Sequence, residues 1–261
     1  SPELTLGNES PISKKISYKS FMNDESYDIN LLKDTKGGLL NYISLFNSDI
    51  ILANSKLTYD LYIKIYPEFT SKIKYTHEIE YEIYKKKLHI NSRINYNTLQ
   101  YKNREFDLIT VSNSWTRPVK NIKLIYDIYN KLPNLNKVII GKKNNEYNFE
   151  DIQNTTVLDQ IDNKLLHKML LNSKNVLICS YFESASITLL EGLHNGCKII
   201  TSKNVGLSIL IPNQYLCEDV YDIDEWLRTI DLLEDIESIE YKIQNNLENN
   251  SIVLLNKSIE T

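Results

Sequence analysis

Apolar, β-branched runs alternate with segments of helical spacing from about Phe106 onward in this chain. The runs lie at residues 106–112, 138–140, 156–158, 176–179 and 197–201, and two helical segments lie at residues 122–132 and 163–172. Short strands that alternate with helices of about 10 to 12 residues are typical of βαβ units. The pattern therefore predicts a parallel sheet with helices on both faces.

The loops at one edge of such a sheet are the expected place for a ligand. In parallel α/β sheets, ligands bind outside the carboxyl ends of the strands. The loops that follow Ser112, Gly141, Gln160 and Ser180 are therefore expected to share one rim. Side chains that are far apart in the sequence should meet there.

Two glutamates stand in the strand–loop–helix segment at residues 176–206. Glu183 follows an apolar run, and Ser184 and Ser186 can each cap a helix that carries Glu191. The start of that helix presents free backbone N–H groups and a dipole that favours an anion. Along a helix with about 1.5 Å rise per residue, the two carboxylates lie roughly 10 Å apart. This layout matches a nucleotide sugar, which has hydroxyls at each end and a diphosphate between them.

Charge and cysteine content exclude several functional classes. The net charge of −4 gives no general attraction to nucleic acid or to anionic lipid. The three cysteines form no CxxC pair, which indicates free thiols in a reducing compartment. No apolar run approaches the about 20 residues of a membrane span, and no secretory signal is visible. These features predict a cytoplasmic protein without a transmembrane segment and without a nucleic-acid partner.

The two flanking regions carry weaker patterns. The expected elements near the N-terminus are strands at residues 49–53 and 72–75 and a helix at residues 56–66. No element is predicted before Tyr42, and Lys36-Gly37-Gly38 is interpreted as an ordinary turn. From Asp222 to the C-terminus the spacing of apolar residues is helical.

The glutamate segment resembles the retaining glycosyltransferases of group one, the family-four kind with the GT-B fold. Their signature is Glu, seven residues, Glu. In this chain it stands as Glu183-Ser184-Ala185-Ser186, then Glu191-Gly192, then Gly196. Neighbouring segments follow one another as in the family, and they lie at residues 48–55, 138–141, 157–160, 199–202 and 205–206. The resemblance covers residues 48–215.

This resemblance implies an α/β fold with a Rossmann-like, parallel-sheet C-terminal domain of GT-B type and a shortened N-terminal α/β domain. The expected division is an acceptor-side domain at residues 1–105, short or incomplete, a donor-binding domain at residues 106–215, and C-terminal helices at residues 216–261. The chain begins with Ser1-Pro2-Glu3 rather than Met, which suggests a tag remnant or a fragment of a longer protein.

The resemblance also implies a nucleotide diphosphate sugar as donor, with no cofactor and no metal ion. Glu183 would accept hydrogen bonds from the donor sugar, and Glu191 from the ribose hydroxyls. Lys120, with Arg117 as a nearby cation, would neutralise the diphosphate as its bond to the sugar breaks. The other candidates are Ser112 and Ser114 for phosphate, Gly141, Lys142, Gln160 and Ile161 for the base, and Ser184, Ala185, Ser186 and Ile187 for the donor at the helix start.

Retention of configuration commonly depends on a nucleophilic carboxylate. The family is instead thought to react on the front face of the sugar, where the leaving phosphate helps to take the proton of the acceptor. Glu183, Lys120 and Arg117 are therefore assigned electrostatic and positioning roles, and none is assigned as a base.

The chain departs from the family pattern at four places. Trp115 stands where the family carries an arginine five residues before the phosphate lysine. Ser186 replaces a glycine, and Gly206-Leu207 replaces a pair of glycines. Residues 1–105 are also fewer than the N-terminal domain of the family requires. These departures put the phosphate contacts and the completeness of the acceptor half in question.

Other functions remain open at this stage. The two glutamates can be ordinary surface residues, and Asp222-Ile223-Asp224 fits a helix start better than a metal site. The four histidines show no metal-ligand spacing. A non-catalytic nucleotide-sugar-binding or scaffold protein and a sugar-nucleotide epimerase are the alternatives to a transferase. The sequence identifies neither the sugar nor the base, and the acceptor (glycan, protein or lipid) is also unidentified.

Overall fold

The computed structural model describes residues 42–75 and 101–234. The turn predicted at residues 36–38 and the helical pattern beyond residue 234 lie outside these ranges. Within the described residues, no helix is both long enough and apolar enough to cross a membrane.

Residues 42–75 form a small α/β unit, called here the N-terminal unit. Residues 42–46 are helical, and strands β1 (Ile51–Ala53) and β2 (Ile73–Tyr75) pair in parallel beside helix α1 (Lys56–Ile65). Helix α1 begins at Lys56 because Ser55 is extended and its Oγ accepts the Thr58 N–H at 3.1 Å. The predicted strand, helix and strand are confirmed, although each is shorter than the sequence pattern indicated.

Residues 101–234 form the second unit, called here the sheet domain. Its six strands are parallel and lie in the order β5-β4-β3-β6-β7-β8. Their bounds are β3 Phe106–Ser114, β4 Lys137–Lys142, β5 Thr155–Leu158, β6 Ser173–Ile178, β7 Lys198–Ser202 and β8 Leu216–Cys217. The helices are α2 Ile122–Lys131, α3 Asn163–Leu171, α4 Ile187–His194 and α5 Ile223–Glu234. The parallel sheet predicted from the alternating pattern is confirmed.

Both faces of this sheet are buried, which explains why its strands read as continuous apolar runs. Successive side chains of a strand point to opposite faces. One face carries Ile109, Val138, Val176 and Ile199, which pack with Leu170 of α3 and Leu189 and Leu190 of α4. The opposite face carries Leu108, Ile139, Leu177 and Ile200, which pack with Ile125 and Ile128 of α2 and Trp226 of α5. Two separate cores therefore hold the sheet domain together.

The strand order reverses between β3 and β6. The chain runs outward from β3 to β4 and β5, and β6 then returns to pair with the other side of β3. Loops on the two sides of such a reversal diverge and leave a crevice at the carboxyl ends of the strands, where ligands bind in doubly wound folds. By this rule, the crevice of this chain is expected between the loop after β3 and the loop after β6.

The sheet continues beyond residue 215, where the family resemblance placed the end of the donor-binding domain. Strand β8 pairs with β7, with Thr201 opposite Leu216, and α5 packs against both β7 and β8. The Asp222 carboxylate accepts the Asp224 N–H at 3.0 Å and the Glu225 N–H at 3.2 Å. Asp222 therefore caps α5, as expected for the Asp222-Ile223-Asp224 sequence.

Candidate active site

The loops after β3 and β6 are joined to each other at the crevice. The Tyr181 N–H donates a hydrogen bond to the Val119 carbonyl at 2.8 Å. In the first loop, Pro118–Lys120 form a single 3₁₀ turn, and Asn121 follows in the left-handed region at φ 52°. The side-chain amide of Asn121 donates to the Val220 carbonyl at 3.4 Å. This turn fixes Lys120 at the start of α2, facing the second loop.

Lys120 and Glu183 form an ion pair across the crevice, although they are 63 residues apart in the sequence. The Lys120 Nζ lies 2.6 Å from the Glu183 Oε1, and the two side chains are 15% and 8% exposed. The Ser180 hydroxyl donates to the same carboxylate oxygen at 2.5 Å. Because a buried charge without a partner is strongly destabilising, each member of this pair holds the other in place.

The backbone of Glu183 is fixed against the loop after β7. Glu183 forms a parallel bridge with Val205, its N–H donates to the Asn204 carbonyl at 3.1 Å, and its own carbonyl accepts the Gly206 N–H at 2.7 Å. The carboxylate therefore stands on a short strand-like segment and not on a free loop. Sequence reasoning missed Ser180 and Asn204, and the only signal for Ser180 is its position between a buried strand and Glu183.

The loop after β7 contains one of the departures from the family pattern, the Gly206-Leu207 pair. A Cβ at Gly206 would lie only 1.8 Å from the Ser184 carbonyl oxygen, so no other residue fits there without movement. Leu207, which replaces the second glycine, has φ 73°. The left-handed region is unfavourable for a bulky side chain. Leu207 is therefore strained at a position that suits glycine.

Helix α4 begins directly after the glutamate loop. Ser186 is its N-cap, and the Ser186 Oγ accepts the Leu189 N–H at 3.3 Å. Of the two predicted caps, only Ser186 acts as one, and Ser184 lies in the loop with Ala185. Ile187, the first helical residue, is exposed, and Glu191 is partly buried on the second turn. The start of this helix faces the same rim as Glu183.

The rim beside β4 and β5 carries the candidates for the base. Gly141 has φ 137°, and a Cβ there would lie 1.8 Å from the Ser112 carbonyl oxygen. The Lys142 carbonyl accepts the Trp115 N–H at 3.1 Å, and the Gln160 amide donates to the Asn113 carbonyl at 2.8 Å. These bonds bring the loops after β3, β4 and β5 together, with Ile161 next to Gln160. A cavity of about 320 Å³ adjoins them, bounded in part by Trp115, Gly141, Tyr147, Phe149 and Leu158.

Three candidates near the expected phosphate position have structural contacts of their own. The Ser112 Oγ donates to the Ser114 carbonyl at 3.1 Å, and the Ser114 Oγ lies 2.8 Å from the Thr116 Oγ1. The Arg117 carbonyl accepts the Lys120 N–H at 3.0 Å, so Arg117 opens the turn that carries Lys120. Trp115 is buried in the core beneath α2, and its neutral indole supplies no second positive charge.

Two apolar residues of these loops belong to the core of the N-terminal unit. Phe182 is buried with Leu61, Tyr66 and Phe69, and Val119 packs against the same cluster. Sequence reasoning assigned no role to either residue. Within the residues that the structure describes, no group of three or more His, Cys, Asp or Glu side chains could hold a metal ion.

Comparison with solved structures shows the GT-B type of fold. Sucrose-phosphate synthase from Thermosynechococcus elongatus is similar at a TM-score of 0.56 and 15% identity, covering 84% of this chain and 56% of that one. WaaG, a glycosyltransferase involved in lipopolysaccharide biosynthesis, gives 0.50 and 15%, covering 84% and 65%. A TarM mutant from S. aureus, in complex with fondaparinux, alpha-GlcNAc-glycerol and UDP, gives 0.52 and 14%, covering 77% and 40%. This chain therefore spans 40 to 65% of the length of these three proteins.

The expected fold class, a Rossmann-like sheet domain with a shorter N-terminal α/β unit, is confirmed by these similarities together with the strand order. No curated protein matches the chain. The family model described as glycosyl transferases group 1 matches residues 100–252, which is more than half of the chain. The chain belongs to the group 1 glycosyltransferases.

Proposed function

We propose that this chain transfers a sugar from a nucleotide diphosphate sugar to an acceptor, with retention of anomeric configuration and without a metal ion. The observation that carries the proposal is the Lys120–Glu183 pair at the point where the strand order reverses. That point is where doubly wound sheets bind nucleotides. A nucleotide diphosphate sugar presents an anionic diphosphate and sugar hydroxyls. The adjacent lysine and glutamate match these two kinds of group.

The ion pair can exchange its internal contact for contacts with the donor. The diphosphate of the donor is an anion and replaces Glu183 as the partner of Lys120. Hydroxyls of the sugar donate to Glu183, which already accepts a hydroxyl from Ser180 at 2.5 Å. Because both members of the pair gain charge-assisted hydrogen bonds, neither is left buried without a partner.

The remaining donor contacts come from the neighbouring rim. The start of α4, from Ser184 through Ala185 and Ser186 to Ile187, offers backbone N–H groups and a favourable dipole to a phosphate. Glu191 on the same helix takes the ribose hydroxyls. The weaker candidates are Ser112 and Ser114 for phosphate and Gly141, Lys142, Gln160 and Ile161 for the base.

The proposed reaction needs no protein nucleophile. The bond between the anomeric carbon and the phosphate oxygen breaks, and the acceptor oxygen bonds to the same face of that carbon. The acceptor proton passes to the leaving phosphate oxygen, so atoms and charges balance. Lys120, assisted by Arg117, stabilises the charge that develops on the diphosphate, and the removal of one such group from other enzymes slows turnover by about 10² to 10³.

Binding of nucleoside diphosphates tests the donor site. A thermal-shift screen against UDP, GDP, ADP and their glucose derivatives identifies the probe, because a specific ligand raises the melting temperature. In calorimetry, Lys120→Ala and Glu191→Ala should each weaken binding of that diphosphate at least about tenfold, a loss of about 1.4 kcal/mol. Lys123→Ala is the matched control, since Lys123 is an exposed lysine on α2 that pairs with Asp127. Unchanged binding in both site variants would overturn the assignment.

A second function, nucleotide-sugar binding without transfer, is favoured by one observation. Trp115 is buried in the core at the position where the family carries an arginine, so the site lacks that cation. Transfer to an acceptor, or hydrolysis of the donor by the purified chain, would exclude a purely binding role. The configuration of the released sugar, read by NMR, then tests retention.

A further inference from the structure

The two loops that carry the ion pair share a second feature, which is a neighbouring apolar residue inserted into the N-terminal unit. Val119 precedes Lys120, and Phe182 precedes Glu183. Phe182 is 7% exposed and belongs to the core of the N-terminal unit, against which Val119 packs. The sheet domain thus supplies part of a core that is otherwise formed by residues 42–75.

The backbone geometry of the glutamate loop directs the side chains of Phe182 and Glu183 to opposite sides. Glu183 pairs with Val205 as strands do, and successive side chains of an extended segment point in opposite directions. Phe182 therefore enters the N-terminal unit while Glu183 turns toward Lys120 and Ser180. A displacement of the Phe182 backbone also displaces the backbone of Glu183, because one peptide bond joins the two residues.

The two loops are also joined directly by a backbone hydrogen bond. The Tyr181 N–H donates to the Val119 carbonyl at 2.8 Å, so Val119 is directly linked to the residue that precedes Phe182. A third loop approaches the same unit, since a Cβ at Gly206 would lie 3.0 Å from the Ser55 Oγ. Gly206 in turn donates to the Glu183 carbonyl at 2.7 Å. All three loops around Glu183 therefore lie next to the N-terminal unit.

We propose that Phe182 and Val119 are positioning residues that use the N-terminal unit to hold Lys120 and Glu183 in the geometry for donor binding. This inference rests on the proposed function of the ion pair. Neither Phe182 nor Val119 touches the donor in this arrangement. Their truncation loosens the pair, and the donor then has to order both loops as it binds, which lowers its affinity.

A double-mutant cycle on nucleotide binding tests the inference. The probe is the nucleoside diphosphate, among UDP, GDP and ADP, that stabilises the wild-type chain most in the thermal-shift screen. Phe182→Ala should weaken its binding about tenfold, and Phe182→Leu, which keeps an apolar anchor, should restore binding to within about threefold of wild type. In the Lys120→Ala background, Phe182→Ala should add no more than about a twofold loss, because its effect acts through the pair.

Each alternative outcome has a separate meaning. Normal binding by Phe182→Ala together with weak binding by Lys120→Ala would overturn the positioning role and leave the proposed function intact. Normal binding by both, and also by Glu191→Ala, would overturn the proposed function itself. An equal loss from Phe182→Ala in both backgrounds would show that Phe182 acts independently of the pair, which also overturns the inference.

Folding of the variants is measured by far-UV circular dichroism at the temperature of the binding experiment. If Phe182→Ala does not fold, Val119→Ala replaces it, because Val119 is only partly buried and its truncation is milder. That variant should weaken binding about threefold, again with no further loss in the Lys120→Ala background. Wild-type affinity in Val119→Ala would contradict the proposal.

Discussion

The sheet domain and the N-terminal unit bury their apolar residues in different ways. Six strands covered on both faces give the sheet domain two cores of its own. The N-terminal unit has two strands beside α1, and its core includes Phe182 from the sheet domain. Its exposed large apolar residues are Ile43, Phe46, Ile50 and Leu52. A two-stranded sheet is marginal without further packing, so the smaller unit depends on the larger one, and the candidate site lies where they meet.

The largest effect should come from truncation of each core. Leu61→Ala in α1 and Ile128→Ala in α2 remove fully buried side chains, and each should cost about 2–5 kcal/mol of stability. In hydrogen exchange, Leu61→Ala should speed exchange of residues 51–75 and leave β3 and β6 protected. Ile128→Ala should lower protection across the six-stranded sheet. Faster exchange in β3 and β6 of Leu61→Ala would show that both regions unfold as one unit.

Alanine substitutions at two glycines compare the boundary with the N-terminal unit, at Gly206, with the rim away from that unit, at Gly141. At Gly206 and at Gly141, a Cβ would lie 1.8 Å from a backbone carbonyl oxygen, so Gly206→Ala and Gly141→Ala should each destabilise by about 1–3 kcal/mol. Only Gly206 also approaches Ser55 of the N-terminal unit. Hydrogen exchange of residues 51–75 should therefore rise in Gly206→Ala and stay unchanged in Gly141→Ala. The same exchange pattern in both variants would argue against a contact that depends on Gly206.

A smaller effect tests the strained residue at this boundary. Because φ at Leu207 is 73°, Leu207→Gly should be more stable than Leu207→Ala by about 1 kcal/mol. Leu210 is the control, since it packs on the same core without a positive φ. There the order should reverse, with alanine more stable than glycine by roughly 0.5–1 kcal/mol. Urea denaturation measures all four variants, and the same ranking at both positions would refute the strain at Leu207.

The smallest expected effect is a dependence of stability on pH, and it is confined to the sheet domain. Burial lowers the pKa of His167 on α3 below its ordinary value of 6.5. The unfolded chain therefore binds a proton more readily, so this contribution to stability is complete above pH 6.5 and decreases as the pH falls through that value. The melting temperature should fall less steeply between pH 7.5 and 5.5 in His167→Gln than in wild type. Residues 42–75 contain no histidine, so the pH dependence of their hydrogen exchange should be the same in wild type and in His167→Gln.

Much of the sheet domain was predictable because a strand that is buried on both faces appears in the sequence as a continuous apolar run. Strand β4 lies between two other strands and under two helical layers, so every position from 137 to 141 is buried. Helix α4 was recognisable from Ser186, which satisfies the N–H of Leu189 locally. Strand β8 has only two residues and gives no such run. Its pairing depends on β7 lying next to it.

Three features could be read from local sequence alone, because they depend on residues within one or two turns of each other. They are the alternation of strands and helices, the capped helix after Glu183 and the family pattern around Glu191. The contact of Lys120 with Glu183 and the insertion of Phe182 and Val119 into the N-terminal unit became visible only in the folded molecule, because the residues involved are far apart along the chain. The reversal of strand order, and no local preference, brings two loops separated by 63 residues to one crevice.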